Sequence, residues 1–115
     1  MKTTQAQFEQ FKKSFLHWQK ELGMMEYAAS FQHAPMKDSF ALIQIDHEGR
    51  RCEVALNDHC DGVSVDSLNP DLHGKHEAVH LFLSRITSLA HSRYVIRREL
   101  DDAEEGAVRV LERLL

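Results

Sequence analysis

The chain is poor in the residues that build cross-linked, low-complexity or membrane proteins. It has 2 cysteines in 115 residues, Cys52 and Cys60, too few for a disulfide framework. Their spacing fits no Cys-x-x-Cys zinc site, and Cys52 alternates with apolar residues as a buried thiol does. With 2 prolines and 5 glycines there is no low-complexity segment, and no internal repeat is visible. No apolar run approaches the roughly 20 residues of a membrane span. Positive charge is not in excess: the net charge is -4, with both signs mixed along the chain. That excludes a basic nucleic-acid stripe, and no nucleic-acid or membrane partner is expected. The start, Met1-Lys2-Thr3-Thr4-Gln5, lacks the apolar core of a signal peptide, so a cytoplasmic location is expected. What remains is 43% hydrophobic and 28% charged, ordinary for one globular domain with one core.

Residues 3–22 read as a helix. Phe8, Phe11, Phe15, Trp18 and Leu22 recur at three and four, with Lys12, Lys13, Gln19 and Lys20 off that stripe. Thr3 or Thr4 can cap its start, and Gly23 suits its end. Three strands follow. Residues 25–33 alternate through Tyr27, Ala29 and Phe31. Phe40 to Asp46 alternates through Ala41, Ile43 and Ile45. Cys52, Val54 and Leu56 alternate after the turn at His47-Glu48-Gly49-Arg50. These make a small antiparallel sheet, the last two strands as a hairpin. Residues 57–71 form a loop, with Val63 and Val65 as a short extended piece.

Asn69-Pro70-Asp71 is a helix start: a capping side chain, then proline where no N–H is needed, then an acid at the positive end. The helix runs to about His91. Leu72, Val79, Phe82, Leu83, Ile86 and Ala90 form its expected buried face, and Gly74 weakens its first turn by about 1 kcal/mol. A last helix from about Arg97 to Leu115 is expected to bury Ala107, Val108, Val110, Leu111, Leu114 and Leu115. The fold class is α+β: an N-terminal helix, a three-stranded sheet and two further helices.

The second helix carries the chemistry. His76-Glu77-Ala78-Val79-His80 is His-Glu-x-x-His. Residues four apart on a helix stand nearly above one another. Two imidazoles can therefore address one zinc ion, with Glu77 beside them to take a proton from water. By the wheel, His76 and His80 border the apolar stripe and Glu77 lies further round, toward an open cleft. Eight histidines make the pattern easier to meet by chance, so its weight depends on a helix and on a third ligand. Glu104 precedes Ala107, Val108 and Leu111 by three, four and seven residues and so shares their face. A carboxylate on an apolar face is costly unless paired or metal-bound. Glu104 is therefore the expected third ligand, Glu105 the alternative, and Asp102 lies on the outer side. An oxyanion donor could come from Tyr94, His73 or His91. His17, His33, His47 and His59 have no partner spacing and read as solvated.

The His76 to His80 helix, followed by the Glu104-x-x-Ala107 helix with its leucine-rich tail, resembles the glutamate-type zincins. Within these, the element order is similar to minimal metallopeptidase-like domains of the SprT-like group and of phage-encoded groups. The resemblance covers most of the chain in outline, but its specific motifs lie only at residues 76–82 and 104–115. It implies zinc held by His76, His80 and Glu104, Glu77 as general base, and a protein or peptide substrate cleaved at a peptide bond. No cysteine-rich zinc ribbon follows Leu115, so a DNA-linked role is not implied. The alternatives are a catalytically silent zinc-binding or interaction domain with the same fold, and a metal-free binding module. A sheet edge could hold an extended substrate by strand addition.

Overall fold

The computed structural model describes residues 2–59, 69–92 and 94–115. Helix α1 spans Gln5–Glu21 and strands β1, β2 and β3 span Ala28–Ala34, Ala41–Asp46 and Arg51–Asn57. Helix α2 spans Pro70–Ala90 and α3 spans Arg97–Leu114. The α+β class and all six elements agree with the sequence reading. The extended piece expected at Val63 and Val65, and Cys60, lie outside the described residues. Among the described residues no helix is long and apolar enough to cross a membrane.

Helix ends are set locally. The Thr4 side chain accepts from the Gln7 N–H while the Gln7 side chain accepts from the Thr4 N–H, a reciprocal cap. Asn69 accepts from the Leu72 N–H in front of Pro70. Gly23 leaves α1 at φ +74, where a side chain would be strained.

The sheet corrects one expectation. Its order is β1-β3-β2, with β2 antiparallel to β3 as a hairpin but β1 parallel to β3. It is therefore mixed rather than wholly antiparallel. The strand that takes the centre is the most deeply buried: Cys52, Val54 and Leu56 of β3 are all in the core. All three strands alternate alike in the sequence, so alternation alone does not choose the central one. The chain leaves β1, passes across the end of β3 and returns as β2 on the far edge. Asn57 pins that crossing. Its buried side chain donates to the carbonyls of Met36 and Ser39 and accepts from the N–H groups of Met36 and His59. Asn57→Ala would orphan these groups at about 1–3 kcal/mol for those left buried. We expect a urea midpoint corresponding to a loss of about 3 kcal/mol, and a loss under about 0.5 kcal/mol would contradict this role.

Helices α1 and α2 cross face to face over the sheet, burying Phe11, Phe15, Val54, Leu56, Ala78 and Leu81 completely. Gln19, expected off the stripe, is buried because it follows Phe15 by four. It donates to the carbonyls of Met24 and Tyr27 and so fastens the turn into β1.

The face that α2 buries is the second correction. It consists of Gly74, Glu77, Ala78, Leu81 and Phe82. Of the face expected from apolar spacing, Phe82 alone is buried; Leu72 is 59% exposed, and Val79 and Leu83 are exposed too. Small residues decide the orientation. Gly74 and Ala78 let the α1 backbone approach, and a bulkier face would hold the helices apart. In α3, Ala103 is buried, and Ala107, Val110 and Leu114 pack against the core. Val108, Leu111 and Leu115 are exposed; at about 100° per residue they lie roughly 80–140° round the helix from Ala103, so half of the expected face packs inward and half does not.

Candidate active site

The rotation of α2 puts its histidine face beside the edge of β2 that pairs with no other strand among the described residues. A groove of about 630 Å³ runs between them, lined by Ala41, Leu42, Ile43, Ile45 and His47 on one side and His76, Glu77, His80, Ser84, Thr87, Ser88 and His91 on the other. Neighbouring residues of β2, which point to opposite faces of a sheet, line it together. The groove therefore follows the strand's edge, and β2 pairs with β3 on its other side.

His76 and His80 project from consecutive turns into this groove. Their Nε2 atoms are 3.1 Å apart and their rings stand edge to face, interplanar angle 80°. Two imidazole ligands of one tetrahedral zinc, each at 2.0–2.1 Å, have nitrogens about 3.3 Å apart. The pair fits that spacing with little adjustment. Glu77 differs from expectation. It does line an open groove, but from the core-facing side of α2 rather than away from the apolar side, and it is 6% exposed. Burial pushes its carboxyl up from the ordinary carboxylate range, against a smaller opposing pull from His80 and His76. Among the described residues Glu77 has no hydrogen-bond partner. An acid so placed is a poorer carboxylate for the fold and a stronger base for chemistry.

The expected third ligand is elsewhere. Glu104 does share a face with Val108 and Leu111, but that face of α3 is exposed. Glu105 is exposed as well and pairs with Arg109 at 3.6 Å. Neither borders the groove. Among the described residues no group of three or more histidine, cysteine or acidic side chains converges as a metal site. The two imidazoles fit zinc, and the described residues add no third ligand to them.

Of the expected oxyanion donors, His91 lines the groove. His73 instead packs its ring on Phe40, centroids 5.6 Å apart. Burial, and then His76, hold the His73 imidazole below its ordinary value. Tyr94 is 85% exposed. His47, read as solvated from the sequence, lines the groove and shares a 2.8 Å hydrogen bond between its Nδ1 and the hydroxyl of buried Tyr27. Its place just past the end of β2 is a signal only once β2 is known to be the edge strand. His33 is likewise tied down, bonded to Thr3 and stacked on Phe8. In comparisons with known proteins, no family model, no curated protein and no solved structure matches the chain.

Proposed function

We propose that the protein is a zinc-dependent peptidase that holds an extended peptide along the outer edge of β2. The observation that carries this reading is the pair of facing Nε2 atoms 3.1 Å apart, beside a buried carboxyl, in a groove that follows a strand edge unpaired among the described residues. His76 and His80 would hold the zinc. When bound, zinc supplies Lewis acidity, polarising the scissile carbonyl and bringing the pKa of water toward neutrality. The chain's own groups do the rest. Glu77, whose proton affinity burial has raised, takes the proton of the attacking water and delivers it to the leaving amine. Where the Tyr27 hydroxyl donates in the bond it shares with His47 Nδ1, the ring proton of His47 is on Nε2 and can be donated to the developing oxyanion. The backbone of β2 offers the hydrogen bonds of strand addition. A cytoplasmic setting belongs to the same proposal; the buried free thiol of Cys52 is compatible with it.

The test begins with metal. Purified protein is expected to take up one zinc per chain by elemental analysis. His76→Ala and His80→Ala are expected to lose it while retaining the wild-type circular dichroism, since both side chains are exposed. Failure of the wild type to take up zinc would sink the reading. Measuring zinc affinity in Glu104→Gln and Glu105→Gln decides whether α3 supplies a ligand when metal is bound, as the resemblance to glutamate-type zincins implies. A second reading, a zinc-binding domain without turnover, draws on the absence of a third convergent ligand among the described residues. It shares the metal result but gives no hydrolysis of any peptide.

A further inference from the structure

The peptide groove does not end at the histidines. Beside it, with His47 and Ser88 in the walls of both, is a second cavity of about 560 Å³ between α2, α3 and the turn from α1 into β1. Three arginines line that cavity: Arg50, Arg85 and Arg113. The protein as a whole carries a net charge of -4, so the concentration of cations runs against the overall balance. One acid, Glu26, is in the lining, and Arg50 takes it at 3.2 Å. Arg113 donates to the Glu21 carbonyl, which fixes it without neutralising it. Arg85 has no ion-pair or hydrogen-bond partner among the described residues. The remaining wall is largely apolar, with Met24, Phe82 and Leu89. Guanidinium groups against apolar walls bind a carboxylate more strongly than they would in open water.

We propose that this cavity is a carboxylate subsite, taking an acidic side chain or the terminal carboxylate of a peptide whose backbone lies along β2. The inference rests on the peptidase reading for the peptide's placement. The geometry favours a single carboxylate over a polyanion. The cations line a cavity the size of a small-ligand pocket, whereas a nucleic-acid backbone needs a basic stripe, which this chain lacks.

Binding, not turnover, provides the test. Zinc-free wild-type protein is titrated by calorimetry with N-acetylated hexapeptides. One carries a central glutamate and an amidated C-terminus, one has neutral side chains and a free C-terminus, and an amidated glutamine peptide is the control. A single-stranded oligonucleotide is the fourth arm. At least one carboxylate peptide is expected to bind about tenfold tighter than the control, and which one does so identifies the source of the carboxylate. Arg85→Gln should remove the preference and Arg85→Glu should invert it, both with an unchanged melting temperature because Arg85 is exposed. Equal affinities for all peptides, no peptide binding at millimolar concentration, or a preference that survives Arg85→Gln would each overturn the proposal. So would oligonucleotide binding tighter than any peptide and dependent on Arg85. Because the protein is metal-free, these results stand apart from the zinc test. A zinc peptidase indifferent to acidic peptides loses only this subsite.

Discussion

Glu77→Gln is expected to lower peptide hydrolysis by about 10³-fold, leave zinc content unchanged, and make the metal-free protein more stable at neutral pH. The activity loss follows from the role of the carboxyl: glutamine keeps the shape but cannot accept the proton. The metal is retained because His76 and His80, not Glu77, present the facing nitrogens. The stability gain follows from burial. Glu77 is on the core-facing side of α2 and burial raises its proton affinity. The folded state therefore holds the proton at pH values where the unfolded chain has released it. Stability then falls as pH rises from the unfolded value, about 4.3, through the raised folded value, and is flat beyond. A glutamine does not titrate. The variant's advantage should be absent below about pH 4 and grow as pH rises toward the raised folded value. Its size should be on the order of 1 kcal/mol, or about 4 °C in melting temperature. Thermal melts of both metal-free proteins at pH 4 and pH 7.5 check it. A variant less stable than wild type at pH 7.5 would remove the argument that Glu77 is held at a cost for function. A variant that hydrolyses peptides normally would remove Glu77 from the chemistry.

Gly74→Ala should destabilise the protein by roughly 2–3 kcal/mol, although alanine is the better helix former by about 1 kcal/mol. A Cβ at residue 74 would stand 2.5 Å from the Phe11 carbonyl oxygen, 2.8 Å from Ser14 Cβ and 2.9 Å from the Phe15 nitrogen. Two of the three are backbone atoms of α1, so no rotamer change relieves the overlap and the helices must separate. Separation loosens Phe11, Phe15, Ala78 and Leu81, which are fully buried at that contact. It also shifts the start of α2, from which the two histidines project. Gly106→Ala is the control. Nothing lies within 4 Å of the added atom, so the propensity term stands alone and the variant should gain about 0.5–1 kcal/mol. Urea unfolding of both variants provides the comparison. Two changes of equal sign would show that the close approach at Gly74 has no energetic weight.

Element boundaries and the side-by-side placement of His76 and His80 are legible from local signals. Thr4 with Gln7 starts α1, Gly23 ends it, and Asn69 with Pro70 starts α2; each acts through its own neighbours. The His76 and His80 pairing is also local, because four residues make about one turn. The buried faces were misread for one reason. The spacing of apolar residues turns Leu72, Val79, Leu83, Val108 and Leu111 inward, and Glu104 with them, but spacing alone does not say which stripe meets a neighbouring helix. Helix α2 instead buries the face of Gly74, Glu77, Ala78, Leu81 and Phe82, where Gly74 meets the α1 backbone, and α3 buries Ala103. His47 and Arg85 carried no sequence signal, since their neighbours in the groove and the cavity come from distant parts of the chain.

By itself, then, the sequence determined the class, the order of elements, their caps and the spacing of His76, Glu77 and His80. These are short-range matters of hydrogen bonding and helical repeat. Only the tertiary structure decided that β3 takes the centre of a mixed sheet, that Glu77 is buried while Glu104 is exposed, and that the edge of β2 faces the histidines. Each of those depends on which surfaces meet. That was settled at Gly74, where two helix backbones come close enough that a single methyl group would force them apart.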